Sequence, residues 1–123
     1  MDDGRERTRW PRRVYGVGEE PDPRFSLANE RTFLAWLRTS LALMAGGIAV
    51  EAARPFEGVP QSALALGLLV VGILTAGSAF VRWMTTERAM RAGLPLPAPR
   101  LAAVLSLCVV LAGTVSVLLM VAR

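Results

Sequence analysis

Two stretches without a single charged side chain dominate the pattern of the chain. One covers the 24 residues between Glu57 and Arg82, the other the 22 between Arg100 and Arg123. A hydrocarbon core about 30 Å thick is crossed by about 20 helical residues rising 1.5 Å each, so either stretch is long enough to span a bilayer. Neither alternates apolar with polar positions, and both exceed the roughly 10-residue strand of a membrane β-barrel, so helices are predicted. A third apolar stretch comes first, at about 33–53, interrupted once by Arg38. The expected fold is all-α: a membrane protein with three transmembrane helices at about 33–53, 61–83 and 101–122.

Punctuation between these stretches sets the rest of the organisation. Residues 1–21 are rich in charge, glycine and proline, which predicts a disordered arm ahead of a membrane domain at 22–123. Asp22-Pro23 offers a helix N-cap followed by proline at the first helical position, and Ser26 offers a second cap. The helix then enters span one directly. Pro55, Gly58 and Pro60 mark a short turn. Span two is expected to continue beyond lipid as a helical extension from Thr85 to Ala92, with Glu87 and Arg91 paired at i, i+4 and Gly93 as C-terminal cap. Pro95, Pro97 and Pro99 then make a stiff connector to span three.

Arginine distribution orients the chain. Residues 1–31 hold seven arginines and 82–100 hold four, against Arg54 and Arg123 on the other side. This asymmetry predicts a cytoplasmic N-terminus and an external C-terminus, in a multi-pass protein of the cell (inner) membrane. The first apolar stretch starts too late and runs too long for a cleavable signal peptide. In the arm, Trp10, Tyr15 and the cluster Arg5, Arg7, Arg9, Arg12 and Arg13 suit an anionic leaflet. Nucleic acid is not the expected partner, because Asp2, Asp3, Glu6, Glu19 and Glu20 dilute the charge.

Candidate chemistry is sparse. The chain has no histidine, and its one cysteine, Cys108, lies in mid-span. That excludes an intrachain disulfide and a cysteine–histidine metal site, and it leaves Cys108 as a small packing residue. Without a thiol–base pair, a phosphate-binding glycine loop or paired carboxylates in a pocket, neither enzyme activity nor a cofactor is expected.

Arg38 is the most informative residue. With Glu51 at the outer boundary of span one, Arg38 lies 13 residues deeper, about 20 Å, and so about 10 Å inside the cytoplasmic edge. Arginine at mid-bilayer costs about 2.5–3.5 kcal/mol on insertion scales, lessened at this depth by snorkelling. Its helical neighbours Leu34, Ala35, Leu41 and Ala42 accept no hydrogen bond from it, and spans two and three have no acidic residue in their interiors. A backbone carbonyl, a hydroxyl (Thr75, Ser78, Ser106 or Ser116), lipid phosphate, water or a bound anion must then stabilise it. At 100° per residue, Arg31, Arg38, Ala42, Ala45 and Ala49 share one face. Two readings stay open. Either the alanines permit close helix packing while Arg38 snorkels to headgroups, or several copies of the helix surround an axis and present arginine rings to an anion. Gly72 and Ala76, at i, i+4 on span two, are further packing candidates.

The segment from Asp22 to Leu43, and above all Leu27-Ala28-Asn29-Glu30-Arg31-Thr32-Phe33-Leu34-Ala35-Trp36-Leu37, resembles the signature of the YidH family of bacterial inner-membrane proteins, domain of unknown function 202. Asn29, Glu30 and Trp36 carry much of that likeness, and the resemblance extends over about residues 22–123. It implies a relation to the membrane domain of the eukaryotic vacuolar transporter chaperone complex, in which five copies form a channel for polyphosphate. By that resemblance Arg31 matches an entrance position, with Arg24 near another, Arg82 at the basic end of span two and Arg100 at the start of span three. Arg38 departs from the pattern, standing where the complex has an uncharged residue.

Three functions follow as expectations. The leading one is a homo-oligomeric membrane module that binds or conducts an anion or polyanion such as polyphosphate, pentameric by resemblance. The alternative is a non-conducting accessory or scaffold subunit of a larger membrane complex. A proton-coupled exporter is less well served, because Glu51 sits near a membrane edge rather than at its centre.

Overall fold

A computed structural model describes residues 9–122. Arg5, Arg7 and Arg123, among the basic residues considered, lie outside the described residues. The described chain is all-α: a short helix α1 (Arg12–Tyr15) and three long ones, α2 (Pro23–Ala53), α3 (Val59–Ala92) and α4 (Arg100–Val121). Each long helix contains a segment apolar enough to cross a bilayer, with mean hydropathy of 1.6, 2.3 and 2.7 in turn.

Local chemistry fixes the helix ends. Asp22 caps α2: its Oδ1 accepts the Arg24 backbone N–H at 2.9 Å, and its Oδ2 accepts the guanidinium at 3.0 Å. The Arg24 side chain, and then its backbone N–H, hold the Asp22 carboxyl below the usual carboxylate range. Ser26 does not cap. Pro23 has already set the helical φ, so Ser26 lies inside α2 and its hydroxyl is free to bond elsewhere. At the other end of α2, Arg54 takes a left-handed φ of 47°. Helix α3 ends in a Schellman motif around Gly93, at φ 67°. Gly93 N–H donates to the Met90 carbonyl at 3.4 Å and Leu94 N–H to that of Ala89 at 2.9 Å.

The described residues form two compact units, with α2 and α3 contributing to both. One joins Trp36–Ser78 to the chain from Pro99 onward. Here α2 and α3 approach closely through glycine. A β-carbon on Gly47 would meet the Ala65 carbonyl oxygen at 2.7 Å, and one on Gly72 would meet Met44 Cγ at 2.5 Å. The Ser40 hydroxyl, buried in this seam, donates to the Gly72 carbonyl at 2.6 Å. Most of α4 is exposed, Leu105 being its buried residue. Such a surface suits lipid, which is as apolar as the leucines and valines it meets.

The other unit joins the described chain up to Ala35 to Ala79–Ala98. Phe33, Phe80 and Trp83 pack ring against ring, and Trp10 stacks on Phe80 with centroids 6.0 Å apart. Composition predicts disorder for the arm, yet residues 9–21 are docked in this unit. Val14 is buried to 1% exposure, and the Arg91 guanidinium donates to the carbonyls of Val17 (2.9 Å) and Tyr15 (3.3 Å). A few well-placed anchors offset the ordering cost that the average composition would not.

Candidate functional site

Polar groups meet at the end of α3 that follows Arg82. Glu87, only 4% exposed, is the hub. Ser26 Oγ donates to its Oε1 at 2.7 Å and Asn29 Nδ2 to its Oε2 at 3.2 Å. Asn29 Nδ2 also donates to the Trp83 carbonyl at 3.1 Å, so both protons of the amide are used. Ser26 and Asn29, three residues apart, lie on one face of α2, which explains how a single carboxylate reaches both.

Arg91 lies one turn beyond Glu87 and is 5% exposed. The i, i+4 ion pair expected of these two does not form among the described residues. Glu87 is already occupied by donors from α2, while Arg91 turns to the two strap carbonyls and stacks its cation over the Tyr15 ring at 5.4 Å. Its Nη1 is buried with no hydrogen-bond partner among the described residues. The return contact comes from Glu19, whose backbone N–H donates to the Arg91 carbonyl at 3.2 Å. Gly18 packs against that same carbonyl at φ 60°, where a side chain would collide with it. Thus the end of α3 holds α2 with a carboxylate and the N-terminal strap with a guanidinium.

The arginines singled out from the sequence are dispersed. Arg24 is exposed and paired to Asp22. Arg31 in one unit and Arg38 in the other are both exposed, and neither makes a hydrogen bond or ion pair among the described residues. Arg82, half-buried, lines a hollow of about 250 Å³ with Asn29, Thr32, Thr86, Phe25 and Leu96. Arg100 is exposed as the first residue of α4. Glu30 is exposed and Trp36 half-buried.

The packing candidates divide similarly. Gly72 lies in the seam between α2 and α3, whereas Ala42, Ala45 and Ala49 are exposed and Ala76 is half-buried. The hydroxyls of Thr75, Ser106 and Ser116 donate to carbonyls of their own helices. Cys108, half-buried, lines an apolar hollow of about 400 Å³ with Leu43, Leu64, Gly67, Val71 and Leu111.

Sequence reasoning missed Ser26, Ser40, Glu87 and Arg91 as joint-forming residues. The shared helical face of Ser26 and Asn29 was the available signal, but their partner lies 61 and 58 residues away. Among known proteins, residues 24–89 match the family described as "Domain of unknown function (DUF202)". The uncharacterized protein Rv2272 of Mycobacterium tuberculosis is 48% identical over 109 residues, covering 85% of this chain and 87% of that protein. The inner membrane protein YidH of Escherichia coli K12 is 42% identical over 88 residues, covering 69% of this chain and 76% of that protein. No solved structure matches the chain.

Proposed function

The chain belongs to the DUF202 family as a multi-pass protein of the cell membrane, and from that premise we propose that it acts as a homo-oligomeric, non-catalytic module that binds a polyanion on its arginine-bearing helix face. One observation carries the reading. Arg31, Arg38, Ala42, Ala45 and Ala49 fall on one face of α2, and every one of them is exposed. Two cations without a carboxylate partner among the described residues, continued by a stripe of small residues, suit a helix that approaches copies of itself and offers its cations to an anion. With the N-terminus in the cytoplasm, as the arginine asymmetry predicts, the basic end of the face meets cytoplasmic anions. The resemblance to the polyphosphate channel domain supplies the probe and the expectation of five copies.

Polyphosphate should bind the detergent-solubilised full-length protein with strong salt dependence, as multiple charge contacts require. Arg31→Ala with Arg38→Ala should weaken binding at least about tenfold, the loss of one charge-assisted contact, while native mass spectrometry still finds the oligomer. Ala45→Leu should weaken assembly instead. Equal affinity of wild type and double variant, or a monomeric wild type, would overturn the proposal.

A further inference from the structure

The outward side of the N-terminal strap carries charge that the protein does not use. Helix α1 turns Val14 inward, at 1% exposure, and leaves Arg12 and Arg13 exposed. Neither arginine has an ion-pair partner among the described residues, whereas Arg9 is joined to Glu20 at 2.9 Å. Trp10 fixes the depth of this surface. Its ring stacks on Phe80, 6.0 Å away and tilted by 22°. Phe80 sits two residues before Arg82, the first charge after the 24 uncharged residues of the second span. The indole is therefore held where hydrocarbon gives way to headgroups, the zone that tryptophan favours, and it remains 76% exposed.

The far end of the strap is clamped independently. Arg91 holds the carbonyls of Tyr15 and Val17, and Glu19 N–H returns to the Arg91 carbonyl. A segment pinned at both ends presents one exposed indole and two exposed guanidinium groups without an ion-pair partner among the described residues. We propose that the Trp10–Arg12–Arg13 face of the strap docks on the anionic phospholipid headgroups of the adjoining leaflet, so that the bilayer itself holds the strap closed. Charge complementarity selects this partner: guanidinium groups pair with phosphate, and a net-negative surface attracts them where a zwitterionic one does not. The proposal does not depend on polyanion binding by α2.

The test uses the full-length chain in nanodiscs of phosphatidylcholine alone or mixed with phosphatidylglycerol. The readout is hydrogen exchange at the amides of Val14, Tyr15, Gly16 and Glu19, which are bonded within the docked strap or to Arg91. Two arginines at an anionic surface should slow exchange by up to about 30-fold, and raised salt should remove the effect. Arg12→Glu with Arg13→Glu changes only exposed side chains. It should abolish the response to phosphatidylglycerol while the protection seen in phosphatidylcholine persists. Identical exchange in the two bilayers, or a lipid response that survives the double variant, would overturn the proposal.

Discussion

A single methyl group should have opposite effects at two glycines of α3. At Gly72, an added β-carbon would lie 2.5 Å from Met44 Cγ, 3.0 Å from the Ser40 carbonyl oxygen and 3.3 Å from the Met44 nitrogen. The Met44 side chain can swing aside, but the two backbone atoms cannot move unless α2 itself retreats. Retreat also lengthens the 2.6 Å bond from Ser40 Oγ to the Gly72 carbonyl. Overpacking of this kind costs about 1–3 kcal/mol, and loss of the interhelical hydrogen bond adds about 0.6 kcal/mol. The gain in helix propensity, about 1 kcal/mol for Gly→Ala, offsets part of it. Gly72→Ala should therefore destabilise the protein by about 0.5–2.5 kcal/mol. Gly77 has nothing within 4 Å of its would-be β-carbon, so Gly77→Ala should keep only the propensity gain and stabilise by up to about 1 kcal/mol. Reversible unfolding in mixed micelles of mild detergent and sodium dodecyl sulfate, followed by circular dichroism, measures both. Equal shifts in the same direction would refute the close approach of α2 and α3 at Gly72.

Three further outcomes are expected. Glu87→Ala strands the Ser26 and Asn29 donors in a buried site and should cost about 2–4 kcal/mol in the same unfolding assay, with Glu87→Gln milder because one acceptor remains. Arg54→Gly should stabilise by about 0.5–1 kcal/mol, since Arg54 holds a left-handed φ of 47° and its ion pair to Glu51 is long and exposed at 3.5 Å. Reporter fusions at the two chain ends should register on opposite sides of the membrane, with the N-terminal one cytoplasmic; both ends on one side would contradict the three spans.

The spans were legible because uncharged runs of this length admit few other structures, and the Asp22 and Gly93 caps because their chemistry is local. Pairings across the chain were not. Asn29 stood out as a polar residue at the threshold of a span, yet nothing in its neighbourhood points to Glu87. The spacing of Glu87 and Arg91 suggested an ion pair for a sound geometric reason, but spacing says only that two groups can meet. Ser26 and Asn29 supply two donors to the carboxylate, and two strap carbonyls take the guanidinium. The arm misled in the same way: average composition predicted disorder, whereas docking depends on Val14, Trp10 and the reach of one arginine.

The two faces of α2 show why helical periodicity places the arginine stripe on one side of the helix but does not say what partners it. Helical geometry turns the chain by about 100° per residue. Ser40 and Gly47 are seven residues apart and so share a face, which the structure fills with α3. Measured from Ser40, Arg38, Ala42, Ala45 and Ala49 all fall between about 140° and 200° away, on the reverse side. Both stripes consist of small residues, and either one would serve a close helix contact, so periodicity alone could not choose between them. Once α3 occupies the Ser40 face, it cannot also reach the arginine face. The stripe with Arg38 is then left to lipid, to an anion or to another copy of the chain. Lipid gains nothing from the run of alanines, and an anion alone gains nothing from them either; the proposed second copy, with an anion between the arginines, would account for both halves of the stripe at once.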